Sequence, residues 1–224
     1  DRDSTDGTSI RVPSKPTKPS QPALNTEDHV AYIIGYDDGT VKPTNNITRA
    51  EVATIFFRLL TDDSRAEFWS QTNSYSDVSS NNWFNNAVST LSNADIISGY
   101  PDGTFKPNST VTYGAALKLI MLAAGYPEQK PVNSNVFSGY LAKARAEGII
   151  TRSNVDLTKP ITRLQVAQLA AGALKLNTSN LSSVKPFTDT NDASVQALNA
   201  AGIVEGYFSN GTSTYKPNNT LTRG

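Results

Sequence analysis

The sequence predicts an all-α fold built from tandem repeats, and three observations support this prediction. A Gly-Tyr loop carrying an Asp-Gly or Asn-Gly turn recurs along the chain. Most copies of the loop lead into a threonine followed by an apolar segment with the 3.6-residue period of a helix. Self-similar units of this kind are the signature of a repeat architecture. We therefore expect pairs of helices joined by turn-rich loops.

The repeat is visible as three complete loops and one eroded copy. Each complete loop ends in Lys-Pro and is followed, a few residues later, by a threonine, which in the first two copies precedes an apolar stretch. The complete copies are Gly35–Pro43 with Thr48–Glu51, Gly99–Pro107 with Thr112–Ala115, and Gly206–Pro217 with Thr222–Gly224, and the eroded copy is Lys159–Gln165.

Two kinds of helix are predicted in each unit. A central helix follows residues 47, 111 and 161, with Val52, Ile55, Phe56, Leu59 and Leu60 marking the apolar face of the first. An outer helix precedes a loop, and the predicted outer helices are Trp83–Ile97, Tyr140–Ile150 and Val195–Val204.

The predicted domain boundaries follow from the repeat. Residues 1–26 are a Pro/Ser/Thr-rich linker, because prolines recur every third residue from Pro13 to Pro22 and large apolar residues are scarce. A partial repeat occupies 27–74, a full repeat 75–131, a degenerate repeat 132–186 and a partial repeat 187–224. A stalk before a folded module implies cargo upstream on the same polypeptide.

Composition argues against several classes of function. The 20 basic and 20 acidic residues balance, so no global field attracts nucleic acid. No apolar stretch is long enough for membrane insertion. Cysteine is absent and His29, beside Asp28, is the only histidine, which leaves little for nucleophilic catalysis, a metal or a cofactor.

The motifs resemble those of a known family. Tyr75–Val78, Trp83-Phe84, Ile96–Pro107 and Thr48–Glu51 are similar to the S-layer homology repeat, over roughly residues 28–224. The resemblance implies a pseudo-threefold, three-pronged spindle around a central helical bundle. It also implies an anchor on the surface of a Gram-positive type bacterium, which binds secondary cell-wall polysaccharide, often pyruvylated, between prongs. We expect this anchor to be non-catalytic and to be a monomer that can associate. The alternatives are a protein–protein assembly module of a surface layer and a hidden glycan hydrolase.

Two helix starts carry a capping motif and an arginine. Thr48 with Glu51, and Thr162 with Gln165, have the spacing of a capping box. Arg49 and Arg163 stand at the first helical position, where capping does not explain a cation. An arginine beside free helix N–H groups suits a carboxylate or phosphate ligand, and Arg223 has the same context at the last copy. The alternative for Arg49 is a salt bridge to Asp38 or Asp102.

The remaining ligand-binding candidates are Trp83, Gly99, Asp102 and Gly103. The Trp83 ring could stack on a sugar, although packing into the core is the interpretation that residue type favours. Gly99, Asp102 and Gly103 are first of all turn residues whose backbone could also line a groove.

Departures from the repeat limit the number of sites. Thr112–Ala115 lacks both the Arg and the Glu, and Thr151–Asn154 replaces the Gly-Tyr loop, so we expect one or two ligand sites rather than three. The first unit lacks an outer helix and the last lacks a central one. We therefore expect the outer helix near residue 193 to pack beside the first central helix, closing the module in permuted order. The alternative is a longer chain in which a fourth central helix continues after Thr222–Gly224.

Overall fold

The computed structural model describes residues 21–27, 33–34, 42–179, 181, 187 and 189–205. Predictions made for His29, Asp38, Arg223 and most of the linker lie outside these residues. The described chain is all-α apart from one pair of two-residue strands. In order, the elements are β1 Ile33–Ile34, α1 Arg49–Leu59, α2 Asp62–Phe68, α3 Asn85–Asn93, α4 Tyr113–Ala123, α5 Ser138–Ala146, α6 Arg163–Ala173, α7 Ala193–Ala200 and β2 Val204–Glu205.

The central helices α1, α4 and α6 begin one residue after the three predicted threonines. Each threonine has extended backbone and accepts a hydrogen bond from the backbone N–H three residues on. Both Thr48 with Glu51 and Thr162 with Gln165 form reciprocal capping boxes, whereas Thr112 caps α4 without an acidic partner. The threonines therefore fix where the central helices start.

The core lies where these three helices meet. Apolar side chains of α1, α4 and α6 are almost completely buried there, and a second buried cluster lies between α1 and α3. At about 25 cal/mol per Å² of apolar surface, this burial is the main force that holds the short helices together. The largest fully buried side chains of the central helices are Phe56, Leu59, Leu117, Ile120, Met121 and Leu169.

A ring of hydrogen bonds links the starts of the central helices. The first two backbone N–H groups of each central helix donate to carbonyl oxygens in the loop that precedes another central helix. The ring closes after three steps, so the loops tie the helix starts together in a cycle. The bonds join Arg49 and Ala50 to Ser109 and Pro107, Tyr113 and Gly114 to Lys159 and Leu157, and Arg163 and Leu164 to Asn45 and Pro43. The three-pronged spindle implied by the resemblance stays a prediction.

Each outer helix packs on the central helix that precedes it in the chain, and α7 accordingly packs on α6. The prediction that α7 lies beside the first central helix is therefore wrong. The N-terminal loop, rather than α1, closes the module against α7. β1 pairs with β2 in parallel register, with Ile33 opposite Val204 and Ile34 opposite Glu205, and the Lys42 N–H donates to Asp189 Oδ2 at 2.8 Å.

The outer helices are shorter than the sequence predicted. The predicted helix Trp83–Ile97 is α3 at Asn85–Asn93, because Asp95, with φ of +57°, ends the helix with a left-handed turn that turns Ile96 and Ile97 into the core. The last residues of the predicted linker are extended and bonded to the module. The Ala23 N–H donates to Ser64 Oγ at 3.0 Å, and Leu24 forms a bridge with Leu60.

Candidate ligand groove and helix starts

The N-terminus of α1 has no free N–H group for a ligand. Arg49 and Ala50 donate to loop carbonyls, Glu51 donates to Thr48 Oγ1, and Val52 donates to the Thr48 carbonyl. The expected anion site at free helix N–H groups is therefore wrong for this helix. The first three N–H groups of α4 and of α6 are occupied in the same way.

The Arg49 side chain is part of the joint between α1 and the loop before α4. Its Nε donates to the Phe105 carbonyl at 2.8 Å, and Nη2 reaches the Ser98 carbonyl at 3.4 Å. The guanidinium lies 4.7 Å from the centre of the Phe105 ring and 5.0 Å from that of Tyr100. Burial lowers the pKa of Arg49. Among the described residues its hydrogen-bond and ring partners are carbonyls and aromatic side chains, so the alternative of a salt bridge to Asp102 is wrong.

The loop residues Gly99, Asp102 and Gly103 lie beside this joint and shape its turn. Gly103 has φ of +79°, and Asp102 Oδ1 accepts from the backbone N–H and the hydroxyl of Thr104. These hydrogen bonds hold the pKa of Asp102 below its usual value. A side chain at Gly99 would collide with the Tyr75 ring and the Thr104 carbonyl. A ligand role for the three residues stays a prediction.

Trp83 and Arg163 are placed differently from Arg49. Trp83 is 51% exposed, and its neighbour Phe84, which meets it edge-on with centroids 5.3 Å apart, is the residue that enters the core. The core role favoured for Trp83 is therefore wrong, and its ring stands free for stacking. Arg163 begins α6, where its backbone N–H donates to Asn45. A ligand role for Arg163 stays a prediction.

Sequence reasoning did not find the groove between α5, α6 and α7, whose volume is about 470 Å³. Its floor includes Gly172, where a Cβ would collide with the Ile149 carbonyl, so the glycine allows the turn after α5 to lie against α6. The sequence did contain a signal for this groove. Tyr113 and Thr151-Arg152, which line it, lie in the two segments that depart from the repeat pattern. Lys175, Asp192, Ser194, Gln168 and Glu147 also line it.

The acidic side chains of the groove are engaged by their neighbours. Lys143 Nζ and Tyr126 Oη donate to Glu147 at 2.6 and 3.1 Å, and these bonds hold the pKa of Glu147 below its usual value. Asp192 caps α7 through the Ser194 N–H and accepts from Gln168 Nε2 at 2.8 Å. Both carboxylates therefore act as structural acceptors.

The basic side chains of the groove are available. Arg152 and Lys175 are both exposed, and within the described part of the chain neither side chain makes a hydrogen bond or an ion pair. Lys175 has φ of +54°, a left-handed conformation that ends α6 beside the groove. The groove thus combines two uncommitted cations with hydroxyl and amide groups, a lining that suits an anionic, polyhydroxylated ligand.

Tyr113 takes the helix-start position that Arg49 holds in α1, and it is 6% exposed. Burial raises the pKa of Tyr113 to about 12, although the nearby charges of Arg152 and Arg145 oppose the shift. The first joint therefore has a guanidinium from the helix, whereas α4 has a buried phenol at the same position.

Two kinds of feature are absent from the described residues. No helix among them is long and apolar enough to cross a membrane. They contain no group of three or more histidine and acidic side chains that could hold a metal ion.

Comparison with known proteins identifies the repeat. The model of the S-layer homology domain family matches residues 32–53, 74–117 and 184–224. The first two segments contain the starts of α1 and α4 and the loops before them, whereas the start of α6 and the loop before it lie in residues 118–183, between the second and third segments. The chain therefore carries S-layer homology repeats in these three segments.

Its relatives are named as cell-wall and cell-surface proteins. The middle cell wall protein of Brevibacillus brevis is 32% identical over 66% of the chain and 14% of its own length. Cell surface glycoprotein 1 of Acetivibrio thermocellus is 40% identical over 44% of the chain and 4% of its length. The cellulosome-anchoring protein of the same organism is 37% identical over 39% of the chain and 20% of its length.

A more distant relative has a different kind of name. It is an uncharacterized cell wall amidase of Bacillus anthracis, 28% identical over 63% of the chain and 29% of its own length. The chain thus spans less than a third of each of these four curated relatives. Together the relatives place the chain at the wall or surface of a Gram-positive type bacterium.

Proposed function

We propose that this chain is a non-catalytic anchor that binds an anionic polysaccharide of the bacterial cell wall. The observation that carries the proposal is the groove in which Arg152 and Lys175 are uncommitted while Glu147 and Asp192 are held by neighbours. A carboxylate on a sugar ring, such as a pyruvate ketal, offers the oxygen atoms that a guanidinium and an ammonium group bind. The groove has room for one or two sugar rings.

Exposed aromatic surface adds to the proposal. The Trp83 ring is half exposed and is fixed edge-on against Phe84, so it offers an apolar face with little loss of side-chain entropy. We assign Trp83 to a stacking role in a second, separate contact with the polymer. Arg49 contributes chiefly by holding the loop that carries Gly99–Gly103.

The proposal extends to cargo and to the absence of catalysis. A cellulosome-anchoring protein among the relatives supports an anchor that is joined to other domains. A hydrolase would need carboxylates free to act as acid and base. The two carboxylates of the groove are engaged in an ion pair and a helix cap, which supports a binding role.

Sedimentation with purified cell walls tests this function. We expect the chain to sediment with intact walls and to stay in solution when the secondary polymer has been extracted. Arg152→Gln, Lys175→Gln, Arg49→Ala and Arg163→Ala are compared, with Lys130→Gln as an exposed control outside the groove. Binding that survives polymer extraction would instead favour a protein assembly module, and release of reducing sugar or cleaved amide would favour an enzyme.

A further inference from the structure

A second cavity lies beside the loop between α5 and α6 and has a volume of about 580 Å³. This loop contributes to both cavities, because Thr151 and Arg152 line the groove described above and the next residue, Ser153, lines the second cavity. The rest of the lining comes from the loop before α5, from α5 itself and from residues 154–158. We call it the amide cavity after the three asparagines that line it, Asn133, Asn135 and Asn154.

In the loop after α3, the corresponding place is filled by a carboxylate. Asp77, which stands shortly before α3, accepts from the N–H groups of Phe105 and Lys106 at 2.7 and 2.8 Å. The hydrogen-bonded ring sets the correspondence between the two loops, because the carbonyls of Pro107 and Leu157 accept from the second N–H group of α1 and of α4, respectively. The two residues before Leu157 therefore correspond to Phe105 and Lys106.

The loop after α5 has no such carboxylate. Lys130 precedes α5 by as many residues as Asp77 precedes α3, so a lysine stands where the aspartate would be. Within the described part of the chain, the N–H groups of Val155 and Asp156 have no hydrogen-bond acceptor. Asp156 also lacks the left-handed φ of +57° that Lys106 has. Because Val155 and Asp156 both line the amide cavity, two neighbouring backbone donors are left for a ligand there.

The side-chain amides of the cavity add further donors. Asn133 Oδ1 accepts from the Asn135 N–H, and Asn135 Oδ1 accepts from the Phe137 N–H, each at 2.8 Å. These bonds fix the orientation of both amides, and their Nδ2 groups make no hydrogen bond to any described residue. The side chain of Asn154, which is exposed, makes none either. Three amide groups can therefore donate to a ligand in this cavity.

The amide cavity has an acidic acceptor and no cation to match it. Asp156 is exposed, and its Oδ1 accepts from the N–H and the hydroxyl of Thr158 at 3.0 and 2.7 Å, which leaves lone pairs of the carboxylate for other donors. The described residues that line the cavity include no lysine, arginine or histidine. An anion would face this carboxylate without a compensating charge, whereas a sugar hydroxyl both donates to a carboxylate and accepts from N–H groups.

We propose that the amide cavity binds an uncharged sugar residue of the same cell-wall polymer whose anionic group lies in the groove of Arg152 and Lys175. The inference rests on the proposed function and adds a second class of ligand group to it. Because one loop lines both cavities, one polymer chain can occupy them together, which raises its affinity. Val132 and Val136, 69% and 63% exposed, flank the cavity asparagines in sequence and offer apolar surface to the sugar ring.

Calorimetry with two forms of the polymer tests this inference. The probes are secondary polymer released from cell walls and the same polymer after chemical reduction of its carboxylates to alcohols. We expect the natural chain to bind the reduced polymer more weakly but measurably, and Arg152→Gln/Lys175→Gln to bind it as tightly as the natural chain does. Asn154→Ala should lower the affinity for both forms about fivefold, the effect of losing one hydrogen bond. Asn108→Ala, an exposed change outside both cavities, should lower neither.

Asp156→Asn tests the charge of the cavity. The change keeps an oxygen for the hydrogen bonds from Thr158 and removes the negative charge, so we expect weaker binding of the reduced polymer. Tighter binding would overturn the inference, as would an Asn154→Ala chain that binds the reduced polymer as tightly as the natural chain, or a natural chain that does not bind it. Failure of the proposed function has a different result, which is unchanged affinity of Arg152→Gln/Lys175→Gln for the unreduced polymer.

Discussion

Arg49 and Phe105 join the first central helix to the loop of the next unit through one side chain. The Nε donates to the Phe105 carbonyl at 2.8 Å, and the guanidinium lies 4.7 Å from the centre of the ring of the same residue. The arginine of the repeat motif therefore holds two units together. This role is independent of any ligand and has its own consequence for stability.

Replacement of Arg49 by methionine should destabilise the fold. The change keeps an unbranched apolar stem but removes the guanidinium and its hydrogen bonds to the Phe105 and Ser98 carbonyls, which should cost about 2 kcal/mol in the free energy of unfolding. Urea denaturation followed by circular dichroism measures the loss. Arg152→Met is the matched control, since Arg152 is exposed and should change stability by less than about 0.5 kcal/mol. Equal losses of unfolding free energy in the two variants would show that Arg49 does not join the helix to the loop.

Asp77 should be a second determinant of loop conformation. Its two carboxylate oxygens accept from the Phe105 and Lys106 N–H groups at 2.7 and 2.8 Å. We expect Asp77→Ala to lower the free energy of unfolding by about 2 kcal/mol and Asp77→Asn, which keeps one acceptor, by less. Asp63→Ala, an exposed change in the first turn of α2, should cost under about 1 kcal/mol. An Asp77→Ala chain as stable as the control would show that the loop does not depend on these bonds.

How far the sequence predicts the fold is shown by the threonines and by α7. Thr48, Thr112 and Thr162 mark the helix starts because capping is a local interaction that residue type and spacing decide. The partner of α7 was predicted wrongly, because a repeat pattern does not say which of two equivalent segments fills a place. Both the N-terminal loop and residues 206–223 carry the pattern, and only tertiary structure shows the first bonded to Asp189.

The candidate site was less predictable than the fold. Free N–H groups beside Arg49 were expected, but the loop carbonyls that occupy them come from residues about 60 positions away. The groove of Arg152 and Lys175 forms where two degenerate motifs meet. The sequence analysis took the degeneracy of these motifs as the loss of a ligand site and did not expect a new site there. Trp83 was assigned to the core because its residue type favours packing, and only the tertiary structure shows that the buried ring is that of its neighbour Phe84.

Gly172 should not tolerate a methyl group, although alanine favours helices. The added Cβ would collide with the backbone carbonyl of Ile149, so we expect Gly172→Ala to destabilise the fold by about 1 to 3 kcal/mol despite a gain of up to about 1 kcal/mol in helix propensity. Gly114→Ala should cost less, because its closest contact is the Phe137 ring, which can turn aside. Chemical denaturation of both variants measures these changes in stability. A stabilised Gly172→Ala chain would show that α6 does not closely contact the turn at Ile149.

Tyr113 should make stability fall in alkaline solution. Its pKa is raised by burial to about 12, so the unfolded chain releases the Tyr113 proton at lower pH than the folded chain does. The free energy of unfolding should therefore decrease as pH rises from about 10 toward 12, and Tyr113 should contribute on the order of 1 kcal/mol of the loss between pH 9 and pH 11. Urea unfolding at the two pH values, for the natural chain and for Tyr113→Phe, isolates this contribution. An identical decrease in both chains would contradict the burial of the phenol.

The most direct test of the proposed anchor is the affinity of the Arg152→Gln/Lys175→Gln variant for secondary polymer released from cell walls, measured by calorimetry beside the natural chain and Lys130→Gln. We predict a loss of affinity of at least about tenfold for the double variant, because each charge-assisted contact contributes about 1.5 to 3 kcal/mol, with unchanged folding and no loss for Lys130→Gln. Affinity of the double variant equal to that of the natural chain would contradict the account and remove the groove from polymer binding.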